Sequence, residues 1–308
     1  MPEPKLSTYG RLARVTTSDH LDLQGFLAEP REASSDIIFL HIHGMFENFH
    51  IPLFIESLAA NLVEAGHSFL TMNTRAQDYH VELRKWDDGK PTWAEWGGSY
   101  EIFRNCLIDI NAWVNFCATH LGKRVVLMGH SHGALKAAFY CARGRDTAGI
   151  VGLVMLSPSD DVGGQRQNLG GRYDEALSFA QNWVQNGRQR DILPSWLYGE
   201  AVTAEMYLDM FRLESDVAIF PFHDMRTANG AAAEVHHPTL AVFAESDVAT
   251  AGVQSNSAID IIRKAMTAAS RVDGVVIAGT NHQYAGHEEE LAQAVVEWCE
   301  RLSADIQF

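Results

Sequence analysis

Basic residues are scarce in this 308-residue chain: 24 Lys and Arg stand against 39 Asp and Glu, a formal net charge of −15. A surface of that sign repels phosphate backbones and anionic headgroups, so neither nucleic acid nor membrane is expected as a partner. No run of about 18 apolar residues occurs, so no segment reads as a bilayer-spanning helix. The opening MPEPKLSTYGRLARV has no apolar core, so no secretory signal is expected and a cytoplasmic location is. Cysteine is also rare. Cys106, Cys117, Cys141 and Cys299 each fall in a helix-like segment and form no Cys-x-x-Cys pair, which reads as free buried thiols in a reducing compartment. Repeats, low-complexity tracts and charge blocks are missing. Homo-oligomerisation is left open.

What is present is a core: 46% of the residues are apolar, enough for one large α/β domain with an insert. Residues 12–18 and 21–28 read as a hairpin around Asp19-His20. Short apolar runs at 36–44, 67–75, 124–129, 150–158, 238–245 and 272–278 read as strands buried on both faces. Helical spacing covers 51–65 (closed by Gly66), 99–121, 132–143, 255–269 and 288–302. Residues 76–97, with Trp86, Trp93 and Trp96, read as an irregular loop. From 163 to 235 helix-like pieces alternate with loops, and no strand pattern appears. Strands alternating with helices predict a mostly parallel sheet flanked by helices. Residues 1–162 and 236–308 would form this core domain, and 163–235 a helical cap over the sheet's carboxyl edge, where ligands bind in such folds.

The stretch RVVLMGHSHG, 124–133, carries the chemistry. A strand that turns at once into a helix lifts the turn residue clear of the sheet, and small residues two before and two after let the elements approach. Gly129 and Gly133 hold those places around Ser131. A serine hydroxyl needs a base to take its proton. His282, on a loop after the last strand, is the candidate, with His287 as its rival. The base needs a carboxylate to fix its tautomer. LAVFAESD delivers Glu245 and Asp247 past a strand end; Asp247 is chosen, with Asp160 and Asp161 of SPSDD as rivals. Acyl transfer also needs two N–H donors for the oxyanion. The amides of His132 and Met45 fit, the latter after His43-Gly44. The His43 and His132 side chains are expected to line the site.

In the order Ser131, Asp247, His282, with HIHGM upstream, the chain resembles the α/β-hydrolase superfamily over nearly its whole length. The resemblance implies an eight-stranded, mostly parallel sheet flanked by helices. SPSDD followed by YDEAL is faintly similar to a hydrolase group linked to siderophore-ester cleavage. Histidines at both x positions of Gly-x-Ser-x-Gly depart from the usual pattern.

The expectation is therefore a serine hydrolase acting on a small-molecule ester or lactone, with no cofactor and no metal. His43, His130, Trp86, Trp93, Trp96 and Trp183 are candidate substrate-binding residues around an apolar or aromatic ligand. Thioesterase, amidase, carbon–carbon hydrolase and acyltransferase chemistry would use the same machinery. Two further classes are a non-catalytic ligand-binding member of the fold and a metal-dependent amidohydrolase, the latter suggested by His41-x-His43.

Overall fold

The computed structural model describes residues 10–32 and 35–306. Strands β1 (Arg11–Thr16) and β2 (Asp22–Ala28) form the expected hairpin. Its turn closes where Thr17 Oγ1 accepts the Leu21 N–H at 2.9 Å. Strand β3 (Ile37–Ile42) is buried along its whole length, as its unbroken apolar run requires. Helix α1 (Phe54–Glu64) leads to β4 (Ser68–Met72), which pairs parallel to β3.

Residues 76–97 are not the irregular loop that their composition suggests. They contain β5 (Val81–Asp87) and β6 (Lys90–Trp96), a two-stranded antiparallel hairpin outside the main sheet. Its turn is Asp88-Gly89, with φ of 49° and 74°, the pair of left-handed residues that a tight hairpin turn demands. Helix α2 (Cys106–Thr119) is shorter than the 99–121 spacing implies, because 3₁₀ turns at Gly98–Tyr100 and Phe103–Asn105 precede it.

Strand β7 (Arg124–His130), helix α3 (His132–Arg143) and strand β8 (Ile150–Leu156) follow as expected. Between β8 and the next strand run helices α4 (Asp161–Leu169), α5 (Tyr173–Gln185) and α6 (Ala204–Phe211). Strand β9 (Thr239–Ser246), helix α7 (Ser255–Ala265), strand β10 (Val272–Asn281) and helix α8 (Glu288–Ile306) complete the fold. Strand β10 outruns its predicted end at residue 278, and its pairing with β9 becomes irregular between Ile277 and Asn281.

The eight main strands are ordered β1-β2-β4-β3-β7-β8-β9-β10, and all pairs from β4 to β10 are parallel. The period of two along each strand divides the core. Ile38, Leu40 and Ile42 pack on the face covered by Trp113 of α2, Leu135 of α3 and Ile259 of α7. Ile37 and Phe39 pack on the other face with Leu58 of α1 and Trp298 of α8. Cys106, Cys117, Cys141 and Cys299 are all buried. No helix among the described residues is long and apolar enough to cross a membrane.

This topology fixes where a site can form. From β3 the chain first goes to β4 on one side and then returns to β7 on the other. Helices from the two sides therefore diverge between β3 and β7, which opens a crevice at their carboxyl ends. The His43-Gly44 loop and Ser131 stand at those two ends.

Candidate active site

Ser131 links β7 to α3 with φ 55° and ψ −124°, a conformation that side-chain-bearing residues avoid. Such backbone strain costs about 1–3 kcal/mol and persists only where the surroundings impose it. Here they do. The Ser131 amide donates to the Leu156 carbonyl at 2.8 Å. A Cβ on Gly129 would lie 2.1 Å from the Gly133 carbonyl oxygen, and one on Gly133 would lie 2.4 Å from the carbonyl oxygens of Ile42 and His43. Only glycine fits at either position, which is why the sequence flanks Ser131 as it does. The serine is half-buried.

Ser131 Oγ is 2.9 Å from His282 Nε2, and His282 Nδ1 donates to Asp247 Oδ1 at 2.8 Å. The structure thus brings together the three side chains chosen from the sequence. The Asp247 side chain is inaccessible to solvent, whereas His282 keeps 16% exposure. Burial pushes Asp247 up, but hydrogen bonds from His282 and Ser157 hold it below the ordinary carboxylate range. The rivals are engaged elsewhere. His287 faces Glu290 at 3.3 Å, and Glu245 accepts the Gly279 amide at 2.8 Å. Asp160 caps α4 through the Gly163 N–H and binds His223 at 2.7 Å, and Asp161 binds His132.

A hydroxyl, an imidazole and a carboxylate in one hydrogen-bonded line can move a proton off the hydroxyl. Beside them, residues 44–47 form a turn closed from Glu47 N–H to Gly44 carbonyl at 3.4 Å, with Phe46 at φ 59°. Met45 lies in this turn, and His132 opens α3. The Met45 sulfur is 3.6 Å from the Tyr198 hydroxyl. Phe46 stacks on Tyr79 at 4.5 Å and lies 6.4 Å from the Tyr198 ring. Tyr198 comes from the stretch between β8 and β9, so that stretch reaches over the turn.

The remaining candidates are corrected. His43 and His132 do not line the site; both are fully buried. His43 donates from Nδ1 to the Gly44 carbonyl at 2.8 Å and accepts the Thr74 N–H at Nε2, so it braces the loop from below. His130 is also buried, 2.9 Å from the His282 carbonyl, and cannot touch a ligand. Trp86 donates to Asp22, Trp93 is exposed beside Arg84, and Trp96 lies under the Arg75 guanidinium. Their partners are Asp22 of β2, Arg84 of β5 and Arg75 after β4, and the aromatic groups at the Met45 turn are Phe46 and Tyr198 instead. Trp183 packs with Phe179 and Arg188 within its own helical stretch. The two rings suggested as metal ligands serve separate contacts, His41 with Thr71 and His43 with Gly44 and Thr74.

A buried charge cluster beneath the elbow has no counterpart in the sequence reading. Lys136 Nζ binds Glu101 Oε1 at 2.7 Å, and His132 lies between Asp161 at 2.8 Å and Glu101 at 3.5 Å. Burial lowers His132, but Glu101 and Asp161 outweigh it and raise the group above its ordinary value. Burial raises Glu101, but Lys136 and His132 bring it to about 2. Burial above all holds His41 at about 3 and His43 at about 4, and the Lys136 cation lowers His43 further.

The signs give a pH profile of stability. His41 and His43 are neutral when folded, so their contribution is lost as pH falls from the unfolded value near 6.5 towards about 3 or 4. Glu101 adds loss below its unfolded value, as pH falls towards about 2. His132 acts oppositely: its contribution is complete below about 6.5 and is lost as pH rises through the raised folded value. Tm is therefore expected to peak near pH 6.5, and His132→Asn to flatten the alkaline limb. Thermal melts from pH 4 to 9 check this; an unchanged alkaline limb in the variant would contradict it.

The fold and the strained Ser131 turn define an α/β-hydrolase-fold protein, and the solved structures agree. The siderophore hydrolase EstB from Aspergillus fumigatus is 16% identical, with 97% of this chain and 99% of that one covered and a TM-score of 0.69. Est1E from Butyrivibrio proteoclasticus, solved with ferulic acid bound, is 18% identical over 95% and 99% of the two chains, TM-score 0.67. The Pyrococcus furiosus esterase Pf2001 is 17% identical over 96% and 92%, TM-score 0.62. No curated protein matches the sequence. Residues 93–306 match the family described as "Protein of unknown function (DUF1749)", and the chain belongs to that family.

Proposed function

We propose that the protein is a serine hydrolase that cleaves a carboxylic ester or lactone through an acyl-enzyme intermediate. The observation that carries this is the unbroken line from Ser131 Oγ through His282 to the buried Asp247. Ser131 attacks the carbonyl carbon as His282 takes its proton, and Asp247 holds the tautomer and stabilises the imidazolium. The Met45 and His132 amides receive the oxyanion. His282 then protonates the leaving alkoxide, and water activated by the same imidazole releases the acid. Each step uses groups of this chain, so no cofactor is invoked.

Residues 163–235 act in this reading as a cap, with Tyr198 and Phe46 forming an aromatic wall beside the reacting carbonyl. A flat or apolar acyl group suits such a wall. That two neighbours carry the printed names of an esterase and a siderophore hydrolase supports the ester reading.

The test is a screen of p-nitrophenyl esters and lactones of graded size, run with and without a chelator. Covalent labelling by a fluorophosphonate, mapped by mass spectrometry, is expected at Ser131. An unlabelled protein that turns over none of the panel would point instead to a binding member of the fold.

A further inference from the structure

Glu47 has no role in the chemistry above, yet it contacts Gly44 before Met45, His130 before Ser131 and Gln283 after His282. It ends the turn after β3, and only 14% of its side chain is exposed. Its Oε2 accepts the Gly44 N–H at 2.9 Å, which pins the turn that carries Met45. The same oxygen is 3.6 Å from His130 Nδ1, an ion-pair distance too long for a hydrogen bond. Its Oε1 accepts from Gln283 Nε2 at 3.3 Å, one residue past His282. Burial pushes Glu47 up, but His130 and the Gly44 amide bring it to about 2, so it stays anionic across the neutral range.

His130 is the second part of the device. Its ring is inaccessible, set edge-on to Phe54 at 5.0 Å and tilted against the His282 ring at 4.8 Å. Nε2 lies 2.9 Å from the His282 carbonyl oxygen. A carbonyl only accepts, so Nε2 donates to it; Nδ1 faces Glu47, and that contact attracts only while Nδ1 carries a proton as well. The contact matters because the sheet does not fix His282 by itself. Pairing of β10 with β9 is irregular from Ile277 to Asn281, directly before the histidine.

We propose that Glu47 and His130 are positioning residues: Glu47 holds the Met45 turn and, through His130, the His282 main chain, so that oxyanion donors and base keep one spacing around Ser131. The proposal rests on the reading of Ser131 as nucleophile and His282 as base. It also explains why a histidine precedes the serine: a ring is needed there that reaches a carbonyl on one side and a carboxylate on the other.

The experiment measures the rate of fluorophosphonate labelling of Ser131 together with kcat and KM on p-nitrophenyl acetate. His130→Leu and Glu47→Ala remove the contacts; His130→Gln and Glu47→Gln keep a donor or acceptor at similar reach. A misplacement of the order of 1 Å costs about 10²-fold, so the first pair should label about 10²-fold more slowly and lose kcat while KM stays within about threefold. The glutamine variants should recover to within about tenfold of wild type. Circular dichroism and Tm establish that each variant is folded; if His130→Leu is not, the two Glu47 variants and His130→Gln carry the comparison. Wild-type labelling rates in the variants, or equal losses in kcat and KM without rescue by glutamine, would overturn the proposal. Failure of the underlying reading looks different: Ser131→Ala would then keep wild-type activity.

Discussion

Ser131→Ala is expected to lower kcat on a p-nitrophenyl ester by roughly 10³-fold or more, since the covalent step is lost while the oxyanion donors and the binding wall remain. KM should change little, because the removed atom binds substrate weakly. Tm should stay near the wild-type value: alanine meets the same backbone conformation at φ 55°, and the amide still donates to Leu156. Stopped or steady-state assays with purified variant and wild type decide the matter. Retention of more than a tenth of the wild-type kcat would remove Ser131 from the mechanism.

Asp247→Asn is expected to cost on the order of 10⁴-fold in kcat, through the tautomer rather than through binding. A carboxamide can present its NH₂ to His282 Nδ1. That turns Nδ1 into an acceptor and moves the ring proton to Nε2, where it faces Ser131 and blocks proton removal. The amide also cannot stabilise an imidazolium. Asp160→Ala gives the contrast. Asp160 caps α4 and binds His223, so its loss should lower stability by about 1 kcal/mol and leave turnover within severalfold. Near-normal turnover in Asp247→Asn would instead return Asp160 or Asp161 to consideration as the acid.

The main sheet and the Ser131–His282–Asp247 line were legible because each rests on a local pattern. Buried parallel strands announce themselves as unbroken apolar runs, and glycines two before and two after a serine mark a strand-to-helix elbow. The β5–β6 hairpin was missed although its Asp88-Gly89 turn was visible. VELRKWD and KPTWAEW pair along the edge of the molecule and bury little, so they carry charge and aromatics where a core strand carries Val and Ile.

Composition said that tryptophans were abundant near residue 90 but not which way they faced, and in the hairpin they meet Asp22, Arg84 and Arg75. Lys136 did leave a trace, as one cation in the apolar run ALKAAFYCA. Its partner Glu101 lies in another element, and nothing in a single sequence links the two. Glu47 is hidden for the same reason: its contacts span 3, 83 and 236 positions of chain.

The half-buried serine takes its geometry from backbone: an amide bonded to Leu156, Gly129 pressed against Gly133, and Gly133 against Ile42 and His43. Phe46, Tyr79 and Tyr198 belong to turns and to the long excursion between β8 and β9. Appetite for new ligands can thus be altered by randomising Tyr79 and Tyr198, which lie outside the turn that carries Met45, with the scaffold that tensions the hydroxyl left alone. A library built there should yield changed selectivity at undiminished intrinsic reactivity.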